Sequence, residues 1–255
     1  MTPAPERDFP WWLVAILGLL ALTGGHVATD PAYEGVFATL AKGIRITVFV
    51  AVTAYVMACA LGLLLALMAL SRSRVLRQLS RFYVEVMRGL PILVLLLYVA
   101  FVLAPALVSL WNWLGLPEAR TRDFSLLWRA IIALTLAYAS FLAEVFRAGL
   151  QSVDRGQIEA AEALGLSRWQ RFRFVVWPQA LRTILPPLGN DFVAMVKDSS
   201  LVSVVGVADV TQLGKITAAG NFRYFETYNV VALIYLVMTI TLSLALRRFE
   251  RGMRR

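Results

Sequence analysis

Histidine and cysteine are almost absent from this chain of 255 residues, which contains one of each. Because Cys59 is alone, no disulfide can form within the chain and no redox or metal motif can be built from thiols. His26 stands beside two glycines, Gly24 and Gly25, so we interpret it as a loop residue rather than as a metal ligand or proton relay. A single histidine at the edge of an apolar run also excludes a convincing hydrolytic triad.

A phosphate-binding loop for ATP is missing as well. The pattern G-x-x-x-x-G-K-[S/T] does not occur: Gly214 and Lys215 are followed by Ile216 and lack the upstream glycine. The sequence therefore predicts that this chain is not an enzyme and has no ATPase site of its own. If ATP drives its activity, another chain must bind the nucleotide.

Charged residues are few, at 16%, whereas 59% of the residues are hydrophobic. A soluble domain could not bury so much apolar surface, so the composition predicts an all-α polytopic membrane protein. Of the 25 Lys and Arg residues, 17 lie in segments 1–10, 71–90, 147–182 and 247–255, and 7 lie in the connections on the other side of the predicted membrane. This asymmetry predicts that the first group and both termini are cytoplasmic, and it explains the net charge of +9 without nucleic acid.

Hydropathy predicts six membrane spans. The first apolar run, residues 9–27, lacks a basic leading region and a clear cleavage site, so we interpret it as an uncleaved helix and not as a signal peptide. An outer connection, partly helical along the membrane interface, is expected at residues 28–43. The other predicted spans are 44–70, 91–113, 126–146, 188–207 and 228–246.

Three regions follow from this division of the chain. Residues 1–43 comprise the N-terminal tail, the first helix and the outer connection, and residues 44–246 form the transmembrane domain. Residues 247–255 are a basic tail. Within the domain, residues 71–89 carry five arginines among apolar residues, which predicts a cytoplasmic amphipathic helix on anionic headgroups.

The segment 152–178, between the fourth and fifth predicted spans, carries the signals of two short helices. Asp154 with Gln157, and Ser167 with Gln170, both match the capping box, in which two side chains bond free backbone N–H groups of the first turn. The first helix is about ten residues, roughly 15 Å long, and cannot cross a bilayer.

Glycine and proline predict where these helices end. Gly165 supplies the left-handed residue that ends the first helix. Pro178 is expected to end the second helix, and Pro186 with Pro187 to break the helix that follows.

Within this segment, the pattern E-A-A, three residues and G resembles the EAA loop of bacterial ABC importer permeases. The matching positions are Glu159, Ala160, Ala161, Gly165 and Pro178, while Val175 and Trp177 replace the Ile and Leu of that pattern. The resemblance implies a coupling helix that enters a cleft of a cytoplasmic ATPase. It therefore assigns ATPase coupling to Glu159, Ala160, Ala161 and Gly165.

Two further motifs resemble permeases for polar amino acids of the histidine/glutamate/glutamine/arginine/opine type. They are R-G-x-P at residues 88–91 and K-D-S-S-L-V at residues 197–202. This likeness, which extends over about residues 40 to 250, implies the type I ABC importer permease fold. That fold has a five-helix core, so the run at 9–27 would be one extra N-terminal transmembrane helix.

The resemblance also implies a set of partners in the bacterial inner membrane. A second permease subunit, identical or paralogous, would complete a two-fold unit, and two ABC ATPase subunits would bind ATP and Mg²⁺. A periplasmic or surface substrate-binding protein would deliver the amino acid. No cofactor is expected in this chain.

The fifth predicted span is the most polar. A charge at the bilayer centre costs on the order of 3 kcal/mol, so ionisable residues there are candidates for function. We predict a substrate path formed by Asp191, Lys197, Asp198, Ser199 and Ser200. Lys197 and Asp198 point about 100° apart on a helix and cannot neutralise each other, so water, a second subunit or the substrate would be their partners.

Two alternatives remain open on the sequence alone. The serines could serve helix packing, because small hydroxyl residues bond across helix interfaces. The charged residues could instead belong to an ion-gradient-driven secondary transporter or channel for small polar solutes.

Overall fold

The computed structural model describes residues 11–253, so the predicted polar segment at 1–8 and the last two residues of the basic tail lie outside the described residues. Every regular element in the described range is helical, which confirms the all-α prediction. In chain order the α-helices are α1 (Trp11–Thr29), α2 (Pro31–Ala69), α3 (Arg74–Gly89), α4 (Ile92–Tyr98), α5 (Ala104–Trp113), α6 (Leu126–Gln151), α7 (Arg155–Ala163), α8 (Arg168–Arg171), α9 (Trp177–Asp198), α10 (Val210–Asn221) and α11 (Tyr224–Met253). Two π-helical turns (Val99–Leu103, Phe172–Val176) and two 3₁₀ segments (Thr121–Asp123, Ser199–Val205) connect some of them.

Four helical segments in the described range are long and apolar enough to cross a membrane: Pro31–Ala69, Ile92–Trp113, Leu126–Gln151 and Tyr224–Phe249. The predicted spans at 9–27 and 188–207 are not among them. The apolar part of α1 within the described range, Val14–Thr29, is shorter than the other four segments. The predicted span at 188–207 is divided between the polar end of α9 and a 3₁₀ segment.

Helix α2 begins at Pro31, so most of the predicted outer connection at 28–43 belongs to the same helix as the second predicted span. The Asp30 side chain accepts a hydrogen bond of 2.8 Å from the backbone N–H of Ala32, and Pro31 occupies the first turn, where its missing N–H costs little. Nothing downstream interrupts the helix for 39 residues. At 1.5 Å per residue it is roughly 58 Å long, far more than the hydrocarbon thickness requires.

Helices α2 and α6 form the centre of the bundle. They pack along their lengths through small and medium side chains that are fully buried, among them Ala54 and Ala58 of α2 and Leu134 and Leu142 of α6. Small residues let helix backbones approach closely in a membrane, where van der Waals packing drives association. Helices α1, α3, α4, α9, α10 and α11 each pack against one or both members of this central pair.

The chain stays helical through Pro178, Pro186 and Pro187, contrary to the predicted breaks. Pro178 lies in the first turn of α9, directly after the π-helical turn Phe172–Val176. Pro186 and Pro187 are inside α9. In a membrane helix, neighbouring helices can compensate for the lost backbone bonds.

Close packing holds α9 against α6. A Cβ built on Gly149 of α6 would lie 2.1 Å from Cγ1 of Ile184 in α9, so no larger side chain fits there without movement. Ile184 is fully buried. The contact fixes the start of α9 relative to the end of α6, on either side of the polar segment 152–178.

Helix α3 packs against the bundle and does not rest only on lipid headgroups. Ser80 and Val84 are buried, and the Ser80 hydroxyl donates a 2.8 Å hydrogen bond to the carbonyl of Leu65 in α2. The Tyr83 hydroxyl donates to the carbonyl of Leu136 in α6 at 2.9 Å, and burial raises the pKa of Tyr83 to about 12. The phenol therefore stays protonated, and this donor is kept at neutral pH.

A second, smaller cluster fixes the start of α10. Asp209 is fully buried and accepts hydrogen bonds from the backbone N–H of Gln212 at 2.8 Å and from the Tyr235 hydroxyl at 3.0 Å. Burial raises the pKa of the Asp209 carboxyl, although these hydrogen bonds oppose the shift. Gly43 of α2 permits the close approach, because a Cβ there would lie 2.6 Å from the backbone nitrogen of Val210.

Candidate functional site: the polar segment 152–178 and the polar end of α9

The polar segment 152–178 begins with the short helix α7, as predicted, whereas α8 does not end at Pro178 and continues through a π-helical turn into α9. Asp154 begins α7, and its side chain accepts a 2.7 Å hydrogen bond from the backbone N–H of Gly156. Ser167 and Gln170 form both bonds of a capping box at the start of α8, with the Gln170 side chain accepting from the Ser167 N–H at 2.9 Å. The reciprocal box is therefore confirmed for α8. The box predicted for Asp154 and Gln157 is wrong, because α7 is capped by the Asp154 side chain without a return bond from Gln157.

Gly165 ends α7 in the left-handed conformation, with φ of +77°. Its N–H donates to the carbonyl of Glu162 at 2.9 Å, and the N–H of Leu166 donates to the carbonyl of Ala161 at 3.1 Å. These two bonds define a Schellman motif, which satisfies the last carbonyls of a helix. The turn is closed further by an ion pair of 2.8 Å between Glu162 and Arg171, which ties α7 to α8.

The outer surface of this segment is unusually apolar for an exposed loop. Leu164 is 81% exposed, Trp169 69% and Phe174 66%. Glu159, Ala160 and Gly165 are exposed as well, whereas Ala161 is buried, with 4% of its surface exposed. Large apolar side chains exposed on a polar segment are typical of a protein-docking surface.

Asp198, at the end of α9, has a partner that the sequence did not predict. The Tyr138 hydroxyl of α6 donates a 2.8 Å hydrogen bond to Oδ2 of Asp198. Tyr138 is buried, with 4% of its surface exposed, while Asp198 is half-buried. The sequence predicted water, a second subunit or the substrate as partners of this carboxylate and did not include Tyr138. A buried tyrosine hydroxyl usually needs a hydrogen-bond partner, and here that partner is Asp198.

Arginine from the R-G-x-P motif reaches the same region. The Arg88 guanidinium lies over the ring of Phe141, 5.6 Å from its centroid, and that ring contacts Tyr138 edge-to-face at 6.1 Å. A guanidinium over an aromatic face is attracted by the ring quadrupole. The motif at the end of α3 is thereby linked to the Tyr138–Asp198 pair through one aromatic side chain.

Asp191 lies two turns before Asp198 on the same helix and is half-buried. Beside it, Tyr55 of α2 donates a 2.6 Å hydrogen bond to the carbonyl of Leu188 and contacts the ring of Phe192 at 4.8 Å. Two acidic residues and two tyrosines thus occur where α9 meets α2 and α6. This arrangement can bind a polar or cationic group by hydrogen bonding and charge.

The other predicted path residues lie elsewhere. Lys197 is exposed in a groove between α9, α11 and α1. Ser199 is fully buried and donates a 2.8 Å hydrogen bond to the carbonyl of Val196, while Ser200 is half-buried. The structure therefore brings Asp198 together with Tyr138 and places Lys197 away from them. The Ser199 hydroxyl is used in a local hydrogen bond to the last turn of α9.

Residues 58–255 match the model of a protein family described as the binding-protein-dependent transport system inner membrane component. The match includes both short helices of the loop and all of α9. The chain belongs to this family. It is an inner-membrane permease component of an ABC importer, and the ion-gradient-driven alternative is not favoured.

Relatives of this permease support the same function. It is 40% identical over 219 residues to a probable amino-acid permease protein, YxeN, of Bacillus subtilis, covering 85% of this chain and 92% of that one. It is 35% identical over 215 residues to the glutamine transport system permease protein GlnP of Escherichia coli, covering 84% and 93% of the two chains. A crystal structure of an amino acid ABC transporter with histidines matches with a TM-score of 0.71 and 36% identity, covering 87% of this permease and 95% of that chain.

Proposed function

We propose that this permease carries polar amino acids across the inner membrane as one half of a two-fold permease unit. The names of the relatives at 40% and 35% identity support amino-acid cargo. The observation that carries the proposal is the half-buried Asp198 carboxylate held by Tyr138, because it is a fixed polar contact at the depth of the apolar helices. Asp191, Asp198 and Ser200 would line the path, and a second identical or paralogous permease would complete it.

The coupling part of the proposal concerns α7 and the turn after it. Glu159, Ala160, Ala161 and Gly165 would form the helix that docks in the cleft of a partner ATPase. The exposed apolar side chains of Leu164 and Trp169 support this role, since they would be buried by docking. Two ATPase subunits would bind ATP and Mg²⁺, and their closure would move α7 and change the access of the path.

Orientation and delivery complete the proposal. Both termini and the coupling loop would be cytoplasmic, which the distribution of Lys and Arg supports. A periplasmic or surface substrate-binding protein would then deliver the amino acid to the opposite side. The permease would position and release its cargo without any covalent chemistry.

Reconstituted transport tests the proposal. The permease, its ATPase and the binding protein are placed in liposomes, and uptake of labelled glutamine and arginine is followed with and without ATP. We expect uptake only when all three components and ATP are present. Uptake by the permease alone, driven by an imposed proton or sodium gradient, would refute the proposal and support a secondary transporter.

A further inference from the structure

A groove between α9, α11 and α1 contains two cations and lies apart from the Tyr138–Asp198 pair. Its main cavity has a volume of about 270 Å³ and is lined by Lys197 and Arg247 together with Ser243 and apolar side chains such as Ile16 and Leu244. An adjoining cavity of about 150 Å³ shares Ser243 and Arg247 and adds Asn190. We call the two cavities together the basic groove.

Every free polar side chain in the basic groove can donate a hydrogen bond. Lys197, Arg247, Ser243 and Asn190 have no hydrogen bond or ion pair with any residue in the described range, and the lining of neither cavity includes an aspartate or glutamate. Such a set suits an anion with several oxygen acceptors. It does not suit a zwitterionic amino acid, whose ammonium group would find no carboxylate there.

The depth of the groove points to the source of the anion. Arg247 lies two residues before the end of the apolar segment Tyr224–Phe249, which is the level of the lipid headgroups. Lys197 faces the turns of α11 that come before Arg247 in the chain. Its side chain can extend toward the level of the headgroups, because lysine buries its methylene stem and exposes its ammonium group. Ile16 and Leu244 provide apolar walls for an acyl chain.

We propose that the basic groove binds the phosphate headgroup of an anionic phospholipid of the cytoplasmic leaflet, with Lys197 and Arg247 as the two cationic contacts. Basic pockets between membrane helices on the cytoplasmic side bind such headgroups. The leaflet follows from the proposed orientation, whereas the binding itself does not depend on which cargo is carried. Bound lipid would link α9, which continues from the coupling loop, to α11 and α1.

Lipid binding to the purified permease–ATPase complex tests this proposal directly. Native mass spectrometry measures the affinity of the complex for dioleoylphosphatidylglycerol and for dioleoylphosphatidylcholine in a non-ionic detergent. Because each cation contributes roughly fivefold, we expect wild type to prefer the anionic lipid by about twentyfold or more. The double variant Lys197→Gln/Arg247→Gln should bind both lipids within about twofold of each other.

Matched variants separate the groove from general surface charge. Arg248→Gln/Arg251→Gln removes the same charge from exposed positions of α11 outside the groove and should keep the preference. Ser243→Trp fills the groove without changing its charge and should lose the preference. If the double variant does not assemble, Lys197→Gln and Arg247→Gln are measured singly, each with an expected loss of about fivefold.

Four results would overturn the proposal. The first is equal affinity of wild type for the two lipids, and the second is an equal loss of preference in the Arg248/Arg251 control. The third is displacement of the anionic lipid by millimolar glutamine, which would assign the groove to cargo. A disulfide between two copies carrying Ser243→Cys and Cys59→Ser would also overturn it, because the groove would then lie between subunits. Inorganic phosphate should compete only weakly, since it lacks the acyl chains.

Discussion

At the scale of single residues, Asp198 illustrates how a carboxylate is held among apolar helices. Its hydrogen bond from Tyr138 joins α9 to α6, and the two residues are 60 positions apart in the sequence. Placing a charge at bilayer depth costs on the order of 3 kcal/mol. A hydrogen bond to a charged acceptor contributes about 1.5–3 kcal/mol, so it can offset much of that cost. The pair therefore stabilises the contact between α9 and α6 and contains the carboxylate that we propose for the substrate path.

We expect Tyr138→Phe and Asp198→Asn to impair ATP-driven uptake or change which amino acids are accepted, while assembly is kept. Tyr138→Phe leaves the carboxylate without its donor, and Asp198→Asn keeps the acceptor oxygen but removes the charge. If the two residues act together, the double variant should lose less than the sum of the single losses, with a coupling of about 0.5–3 kcal/mol. Uptake rates and competition by unlabelled amino acids measure both effects.

Tyr83→Phe is the control for this pair. It removes a similarly buried hydroxyl whose acceptor is the backbone carbonyl of Leu136, so it should cost about 1 kcal/mol of stability without changing selectivity. Unchanged rate and selectivity in both Tyr138→Phe and Asp198→Asn would contradict a role of this pair in the path.

At the scale of elements, the geometry of the proposed coupling loop, residues 152–178, depends on one backbone angle. Gly165→Val should strain the left-handed position and alter the angle between α7 and α8, because a β-branched residue strongly disfavours φ of +77°. Glu159→Lys should reverse the charge offered to the ATPase. We expect both variants to insert normally and to lose ATPase association and ATP-driven uptake, as measured by co-purification and transport.

Gly115→Val provides a matched control for the turn. Gly115 has φ of +74° and, like Gly165, open space around its Cβ position, but it lies in the connection between α5 and α6. Its substitution should cost similar local strain and leave ATPase association intact. Wild-type uptake by the double variant Glu159→Lys/Gly165→Val would rule out the coupling assignment.

The contact between α6 and α9 gives a second prediction for elements. Gly149→Val would force its side chain into Ile184, and overpacking of this kind costs about 1–3 kcal/mol. We expect a lower thermal unfolding temperature of the purified protein and weaker coupling of ATP hydrolysis to uptake. Gly35→Val, at a helical position with open space around it, should change the unfolding temperature far less. Equal unfolding temperatures for the two variants would contradict the packing argument.

At the scale of the whole molecule, the asymmetry of Lys and Arg predicts the orientation in the membrane. In a Cys59→Ser background, a cysteine at exposed Ser167 should react with membrane-impermeant reagents only from the cytoplasmic side. A cysteine at exposed Ala219 of α10 should react only from outside. Labelling in the reverse sense would contradict the proposed topology, and accessibility from both sides would mean a leaky preparation.

Sequence alone determined the features that depend on composition and on a few consecutive residues. Apolar content required a membrane, and the spacing of Ser167, Gln170 and Gly165 predicted a helix start and a helix end that the structure confirms. These succeed because a cap or a left-handed turn is decided within one or two turns of chain. The resemblance to the family was visible in the same part of the chain, because all positions of its motif lie within residues 159–178.

Only the tertiary structure decided which segments meet. The pairing of Tyr138 with Asp198, the burial of Asp209 and the place of Lys197 in the basic groove all depend on how α6, α9, α10 and α11 pack. The same packing keeps α9 helical through Pro186 and Pro187, which local propensity predicted to break it. Propensity and hydropathy act within a segment, whereas the contact that satisfies a buried polar group comes from another helix far away in the chain.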